Sequence, residues 1–422
     1  MRRPGFVWLD GQGDAGEEGR WSYFASDPIE TLEAPSTHAD PLSMLRHIDH
    51  HPGFWIGYVA YDAAWAASYR TGKIHHRNPH TPALWFARYP GVFSWDHKRR
   101  MGWCLGSPCD LTAKRPKHPL GLSSPMSRSI SVDSGLQHER GITEALKRIR
   151  AGDIYQVNLA RRWRARYSGD PLALYLALRA KSAVPFGCYM DAGTVSILSQ
   201  SMECFLDWRG PGGALKTQPI KGTTALKSDP NDSAAALRSD GKELAEHTMI
   251  VDLMRNDLGR IAVPHSVHVV NPYAIKPFGH LCHMMSTVVC RTPSETTLES
   301  IFRATFPPGS ISGTPKHAAV SLIETLEPAA RGIYSGALGI VFPDKQATFA
   351  VGIRTAVIDG EVAEYWAGGG IVAESDPKKE LAETTLKARI FTEALARLGK
   401  RASRNSRMPT YYSRRDRAVT RQ

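Results

Sequence analysis

The sequence predicts a large mixed fold of helices and strands, of the α/β or α+β class. Apolar residues such as Ile250, Leu253 and Leu258 recur at helical spacing. Residues 54–61 instead form a continuous apolar and aromatic run, which is typical of a buried strand. With 422 residues and 42% hydrophobic content, the chain is long enough for one large or two ordinary domains.

Composition divides the chain into four segments. Residues 1–106 mix short strand-like runs with turns, and residues 107–135, rich in Pro, Ser and basic residues, are expected to form a linker or long surface loop. Residues 136–398 contain every candidate site described below. Residues 399–422 are predicted to be a disordered basic tail.

The net charge of +12 lies mostly at the end of the chain. From 397 to 422 there are nine lysines and arginines and one acid, Asp416, so this stretch carries +8. The rest of the chain carries only about +4. We therefore expect a solvated tail rather than the alternative, a tail that binds RNA or a membrane.

The sequence also predicts a cytoplasmic protein. It has no run of eighteen apolar residues, so no membrane span is expected, and its first apolar stretch is too short for a signal peptide. The cysteines include no Cys-x-x-Cys pair and are expected to be reduced and mostly buried thiols. They are residues 104, 109, 188, 204, 282 and 290.

Two pairs of glutamates carry the main chemical signal. Glu243 and Glu246, like Glu380 and Glu383, are three residues apart, which puts each pair on one face of a helix. If the two faces meet, four carboxylates are concentrated and require a cation, and hard oxygen ligands favour Mg²⁺. The alternative is two solvated helix faces.

A glycine run precedes the second pair. Residues 367–372 are expected to form a backbone turn that approaches something closely, because three glycines in a row cost conformational entropy. Pro377 is expected to begin the next helix, and Lys387 lies four residues after Glu383, where it could meet a cation-bound anion.

Two loops supply further candidates. Lys221 lies between Pro219 and Gly222, which predicts a tight connector carrying either a catalytic or a solvated lysine. Ser310 belongs to the Gly/Ser-rich stretch 306–316, which runs into a helical pattern and could bind an anion at the helix N-terminus.

Tyr334 and Arg354 are candidate carboxylate binders, because arginine offers a bidentate fork. Residues 350–355 are predicted to be a strand. The alternative is that both side chains are ordinary surface or structural residues.

The order and spacing of these sequence motifs resemble those of the chorismate-utilising enzymes. This family includes anthranilate synthase component I, isochorismate synthases and aminodeoxychorismate synthase component I. The resemblance runs from about Gly141 to Leu398, with a weaker match at 21–31. It implies an α+β fold with two large, mainly antiparallel sheets packed face to face and helices outside. Residues 1–106 would be the N-terminal region of a component I.

Position 221 distinguishes branches of this family. The lysine in Pro-Ile-Lys-Gly-Thr resembles the aminodeoxychorismate branch, where it attacks C2 of chorismate, whereas the alternative, anthranilate synthase component I, carries alanine there. Such a nucleophile must be neutral, so its site is expected to lower the pKa of Lys221. Gln156 stands where isochorismate enzymes place a water-activating lysine, which argues against water as the nucleophile.

The resemblance implies a role for each remaining candidate. Glu203 matches the general acid, Glu246 and Glu383 match direct Mg²⁺ ligands, and Glu243 and Glu380 match carboxylates that hold the metal's waters. His283 matches an active-site histidine. The substrate-carboxylate pocket is matched by Tyr334, Arg354, Ser310, Gly370 and Lys387. The departures from the family pattern are Met202 for Pro, Pro308 for Gly and Thr314 for Ala.

The chain lacks a glutaminase motif, with no Gly-x-Cys-x-Gly turn followed by His-x-Glu. The resemblance therefore implies chorismate as substrate and ammonia from a separate glutamine amidotransferase subunit. A lyase would then complete 4-aminobenzoate for folate synthesis.

Overall fold

In a computed structural model of the chain, two large antiparallel sheets lie face to face with helices on their outer faces, which confirms the predicted α+β class. The structure describes residues 5–13, 16–64, 80–107, 130–181, 183–225, 230–278 and 281–405.

The first sheet has eleven strands. In spatial order they are β17 (Gly313–Thr314), β9 (Gln156–Arg166), β21 (Val362–Ile371), β20 (Thr355–Asp359), β11 (Val195–Ser201), β10 (Phe186–Asp191), β1 (Val7–Asp10), β2 (Trp21–Ala25), β6 (Gly91–Asp96) and β7 (Met101–Gly106), with β8 (Ile130–Val132) also paired to β9.

The second sheet has ten strands. In spatial order they are β14 (Ile220–Ala225), β16 (Leu281–Arg291), β13 (Ala214–Gln218), β12 (Cys204–Trp208), β19 (Ala347–Val351), β18 (Ala337–Val341), β4 (Phe54–Val59), β5 (Leu84–Tyr89) and β3 (Glu30–Ala34), with β15 (His268–Phe278) also paired to β16.

Both sheets combine strands from residues 1–106 with strands from later in the chain. In the first sheet β1 pairs with β10, Val7 opposite Met190, and in the second β4 pairs with β18, Gly57 opposite Gly339. The predicted boundary at residue 106 therefore does not separate two folding units.

Eight α-helices accompany the sheets in the described part of the chain. They are α1 (Leu45–His50), α2 (Gly135–Arg150), α3 (Pro171–Arg179), α4 (Pro230–Ser239), α5 (Gly241–Gly259), α6 (Leu298–Thr305), α7 (Lys316–Leu326) and α8 (Pro377–Asn405). The predicted C-terminal end of α5 at Gly259 and start of α8 at Pro377 are confirmed. Among these helices, none is both long and apolar enough to span a membrane.

A buried apolar layer joins the two sheets. Val7, Cys188 and Ile197 of the first sheet pack in one cluster with Ile56 and Leu338 of the second. Because side chains alternate along a strand, the opposite faces of both sheets point outward and must be covered separately.

Helices cover those outward faces. Ile250 of α5 and Phe302 of α6 belong to the cluster on the second sheet, whereas Leu174 of α3 and Phe391 of α8 pack on the first sheet. As a result α5 and α8, which carry the glutamate pairs, lie on different sheets.

Two segment boundaries differ from the sequence-based expectation. Part of the predicted linker, Ile130–Val132, is strand β8, and its residues 108–129 lie outside the described residues. Helix α8 continues to Asn405, past the predicted start of the disordered tail at 399, and residues 406–422 lie outside the described part.

The cysteine prediction is largely confirmed. Cys188, Cys204, Cys282 and Cys290 are free and buried, whereas Cys104 is free and exposed. Residue 109 lies outside the described residues.

We predict that Phe302→Ala lowers the free energy of unfolding by about 3–5 kcal/mol, because it leaves a cavity under the second sheet. The Phe302 ring packs against the rings of Phe205, Phe306 and Phe349 at centroid distances of 5.8, 5.6 and 5.1 Å. Urea unfolding measures the change. The control Leu386→Ala, at a side chain 62% exposed, should change stability by about 0.5 kcal/mol or less. Equal effects of the two substitutions would contradict the packing argument.

Candidate active site

Lys221 lies in a strand rather than in the predicted tight connector. It belongs to β14, and Gly222, at φ +76°, forms the irregularity where β14 shifts register against β16. The Lys221 Nζ donates a hydrogen bond of 3.0 Å to Glu246 Oε1. Both side chains are only 13% exposed, so the pair is largely shielded from water.

The expected lowering of the Lys221 pKa is wrong. Burial acts to lower the pKa, but the negative charges of Glu246, Glu203 and Glu383 outweigh it and raise the pKa above the ordinary value. In this arrangement the lysine is a charged ammonium group at neutral pH.

Glu203 is a buried carboxyl beside this lysine. It is 4% exposed and follows β11, and burial raises its pKa to about 7 even though Ser310, Lys221 and the backbone N–H of Ile220 act in the opposite direction. The Ser310 hydroxyl donates a hydrogen bond to the Glu203 carboxylate. A carboxyl with a pKa near neutrality can deliver a proton, as a general acid requires.

The two glutamate pairs converge from α5 and α8. Burial and then the neighbouring Glu246 raise the pKa of Glu243, and Glu383 on the other helix acts in the same direction. Burial likewise raises the pKa of Glu380, to which Ser375 Oγ donates a hydrogen bond of 2.7 Å. The four carboxylates are thus close enough for their charges to interact between helices.

These donors fit a hard divalent cation by their chemistry, because all four are carboxylates. They are not preorganised as ligands, since no three His, Cys, Asp or Glu side chains of the described residues form a metal-binding group. Glu246 and Glu383 each contact a lysine instead.

Lys387 links α8 to the glycine run. Its Nζ lies 2.6 Å from Glu383 Oε1 and donates a hydrogen bond of 2.9 Å to the carbonyl oxygen of Gly368. Burial acts to raise the pKa of Glu383, but Lys387, together with the charges of Lys221 and Lys242, outweighs it and lowers that pKa.

The glycine run is a strand segment of β21 and not the predicted turn. The expected close approach is nevertheless present. A Cβ on Gly368 would lie 2.8 Å from Tyr334 Oη, and one on Gly369 would lie 3.0 Å from Glu380 Oε2. A Cβ on Gly370 would lie 2.7 Å from both Glu246 Oε1 and Gln156 Nε2, so any side chain here would occupy the cleft.

The remaining predicted residues border the same cleft. Arg354 does not continue a strand as predicted, because β19 ends at Val351, and Arg354 has φ +51° in the connection to β20. Its Nη1 donates a hydrogen bond of 3.2 Å to the carbonyl oxygen of Lys387. Burial, with the charges of Arg354 and Lys387, lowers the pKa of His283 to about 4, so this imidazole is neutral.

Three neighbouring residues were not predicted as parts of the site. Ser375 positions Glu380, and the Arg331 guanidinium, paired with Glu327 at 2.6 Å, lies 5.5 Å from the centre of the Tyr334 ring. Helix α7 ends at Leu326, so Glu327 and Arg331 are not a helical i,i+4 pair, and no local spacing indicated their buried ion pair.

The family model for chorismate binding enzymes matches residues 9–393 of the chain. The chain is 32% identical over 376 residues to anthranilate synthase component 1 of Saccharolobus solfataricus, covering 85% of this chain and 86% of the relative. It is 38% identical over 257 residues to the protein of the same name from Aquifex aeolicus, covering 60% of this chain but only 52% of that relative.

Two solved structures resemble the fold. Anthranilate synthase component I from Streptococcus pneumoniae superposes with a TM-score of 0.77 at 28% identity, covering 88% of this chain and 92% of that one. The menaquinone-specific isochorismate synthase from Escherichia coli has a TM-score of 0.74 at 20% identity, with 93% and 88% coverage, and supports the fold alone.

We predict that Glu203 makes stability depend on pH. Its folded-state pKa of about 7 lies above the ordinary value, so the stability gained by keeping the proton is complete at pH 4 and is lost as pH rises to about 7. Chemical denaturation gives the free energy of unfolding of the wild type and of Glu203→Gln. The difference between these two free energies should change by about 2–4 kcal/mol between pH 4 and 8, and the variant should gain relative stability at high pH. A difference independent of pH would contradict a raised pKa.

Proposed function

This chain belongs to the family of chorismate binding enzymes, and on that premise we propose that it converts chorismate and ammonia to 4-amino-4-deoxychorismate. The observation that carries the proposal is the side chain of Lys221. Its amine lies in the buried cleft between Glu246 and Gly370, close enough to the carboxyl of Glu203 for their charges to interact.

The proposed reaction begins at this amine. The Lys221 ammonium first gives up one proton to water. The neutral Nζ then bonds to C2 of chorismate as the ring double bonds shift and the C4–O bond breaks, and Glu203 gives its proton to the departing oxygen, which leaves as water. Ammonia then bonds to C4, the double bonds return, and the bond between C2 and Nζ breaks. The proton lost by the new amino group restores Glu203.

We propose Mg²⁺ as the metal, with Glu246 and Glu383 as direct ligands and Glu243 and Glu380 holding its waters. When bound, it would supply positive charge for a carboxylate of chorismate. Tyr334, Arg354, Ser310, Gly370 and Lys387 are the proposed carboxylate pocket, and the neutral His283 lies beside Arg354 and Lys387.

The second candidate is anthranilate synthesis, and the names of the relatives favour it. The relatives described above are called anthranilate synthase component 1, a name that implies a further component. In either case we propose a separate glutamine amidotransferase as the source of ammonia. Lys221 favours the first candidate, because a covalent bond at C2 blocks the position where ammonia must enter to form anthranilate.

Product analysis tests the proposal. We predict that the purified chain with chorismate, Mg²⁺ and ammonium chloride gives 4-amino-4-deoxychorismate, identified by HPLC and mass spectrometry. Lys221→Ala should lower its rate at least about 100-fold, because the nucleophile is lost. Lys216→Ala is the matched control and should leave the rate unchanged, since Lys216 on β13 pairs with Asp207 on the neighbouring strand β12.

Anthranilate as the main product of the wild type would overturn the first candidate and support the second. Formation of 4-amino-4-deoxychorismate by Lys221→Ala at the wild-type rate would exclude the covalent mechanism while retaining the product.

A further inference from the structure

Lysines contact the two glutamates that we propose as direct metal ligands. Lys221 Nζ is 3.0 Å from Glu246 Oε1, and Lys387 Nζ is 2.6 Å from Glu383 Oε1. Glu380, proposed to hold metal-bound water, accepts a hydrogen bond from a neutral hydroxyl instead. The ammonium groups are therefore placed at the ligand oxygens themselves.

A carboxylate oxygen that accepts a short ammonium hydrogen bond cannot at the same time offer the same lone pairs to a divalent cation, and the two cations repel each other. We infer that Lys221 and Lys387 are internal counter-cations of the glutamate cluster, which compete with the divalent cation for Glu246 and Glu383 and are released from them when it binds. The inference rests on the metal site of the proposed function.

The positions of the two ammonium groups indicate where they would move after release from Glu246 and Glu383. Lys221 Nζ lies 3.1 Å from the point where a Cβ of Gly370 would be, and Lys387 Nζ already donates to the carbonyl oxygen of Gly368. Both groups therefore border the space that the glycine run leaves free of side chains. A released Lys387 would carry its positive charge toward an anionic substrate there, and a released Lys221 would no longer be hydrogen-bonded to Glu246. Metal binding would therefore prepare one carboxylate contact and free the proposed nucleophile.

A third lysine provides a control for charge alone. Lys242 is exposed, and its charge acts on Glu243, Glu380 and Glu383. Its backbone N–H, rather than its side chain, is held by the helix-capping Asp240. Removing its charge changes the local field without removing a lysine hydrogen bond to Glu246 or Glu383.

The test is isothermal titration of MgCl₂ into the full chain without chorismate, at constant ionic strength. Lys221→Met and Lys387→Met should each bind Mg²⁺ about tenfold more tightly than the wild type, because each frees a ligand oxygen. Lys242→Met should change the affinity by about twofold or less, as a screened surface charge does. Thermal melts check folding, and Lys221→Gln and Lys387→Gln replace any methionine variant that is not folded.

The outcomes separate the inference from its premise. Unchanged affinity in the Lys221 and Lys387 variants, or an equal gain in Lys242→Met, would overturn the competition. Binding by the lysine variants but not by the wild type would support it in its strongest form. Absence of binding in every variant would refute the magnesium site, and the competition with it, whereas the identity of the product affects neither result.

Discussion

The need to compensate four carboxylates in one partly buried cleft governs the arrangement of this molecule. Glu243 and Glu380 lie in the first turns of α5 and α8, and their partners lie one turn further along. Helix N-termini carry partial positive charge, so both helices present their favourable ends to the carboxylates. That effect amounts to about 1 kcal/mol at each end, far less than the cost of several nearby negative charges, so cations are also required.

The sheets position these helices with little freedom. Helix α8 packs on the first sheet and α5 on the second, and the core between the sheets sets their separation. The glycine run of β21 pairs with β9, Gly370 opposite Asn158, so its backbone is fixed on one side of the cleft. Because no side chain projects from it, Glu246, Gln156 and Tyr334 approach this backbone directly, and the carbonyl oxygen of Gly368 accepts the Lys387 ammonium group.

Local features of the sequence predicted those parts of the site that depend on local geometry. Gly259 and Pro377 marked helix ends correctly, and Glu-x-x-Glu spacing placed each pair on one helix face. The glycine run was predicted as a turn that another group approaches closely, because glycine is uncommon inside strands. The structure has the close approach, but the run lies inside strand β21. Strands from residues 1–106 enter both sheets through pairings such as Val7 with Met190, which no local pattern specifies.

The pKa of Lys221 was mispredicted for the same reason. The expectation came from the need for a neutral nucleophile, whose pKa burial would lower, but the largest charge acting on Lys221 comes from Glu246 on a helix that follows it in the chain.

Overall sequence similarity likewise does not identify the product by itself. The proposed general acid, the carboxylate pairs and the glycine run would serve attack at either ring position, so they are compatible with both candidate reactions. The proposed covalent step depends on the group beside Gly370, because an amine can bond to C2 whereas the methyl group of an alanine cannot. Identity averaged over 376 residues and the chemistry of this one side chain therefore point to different products, and the names of the relatives favour anthranilate.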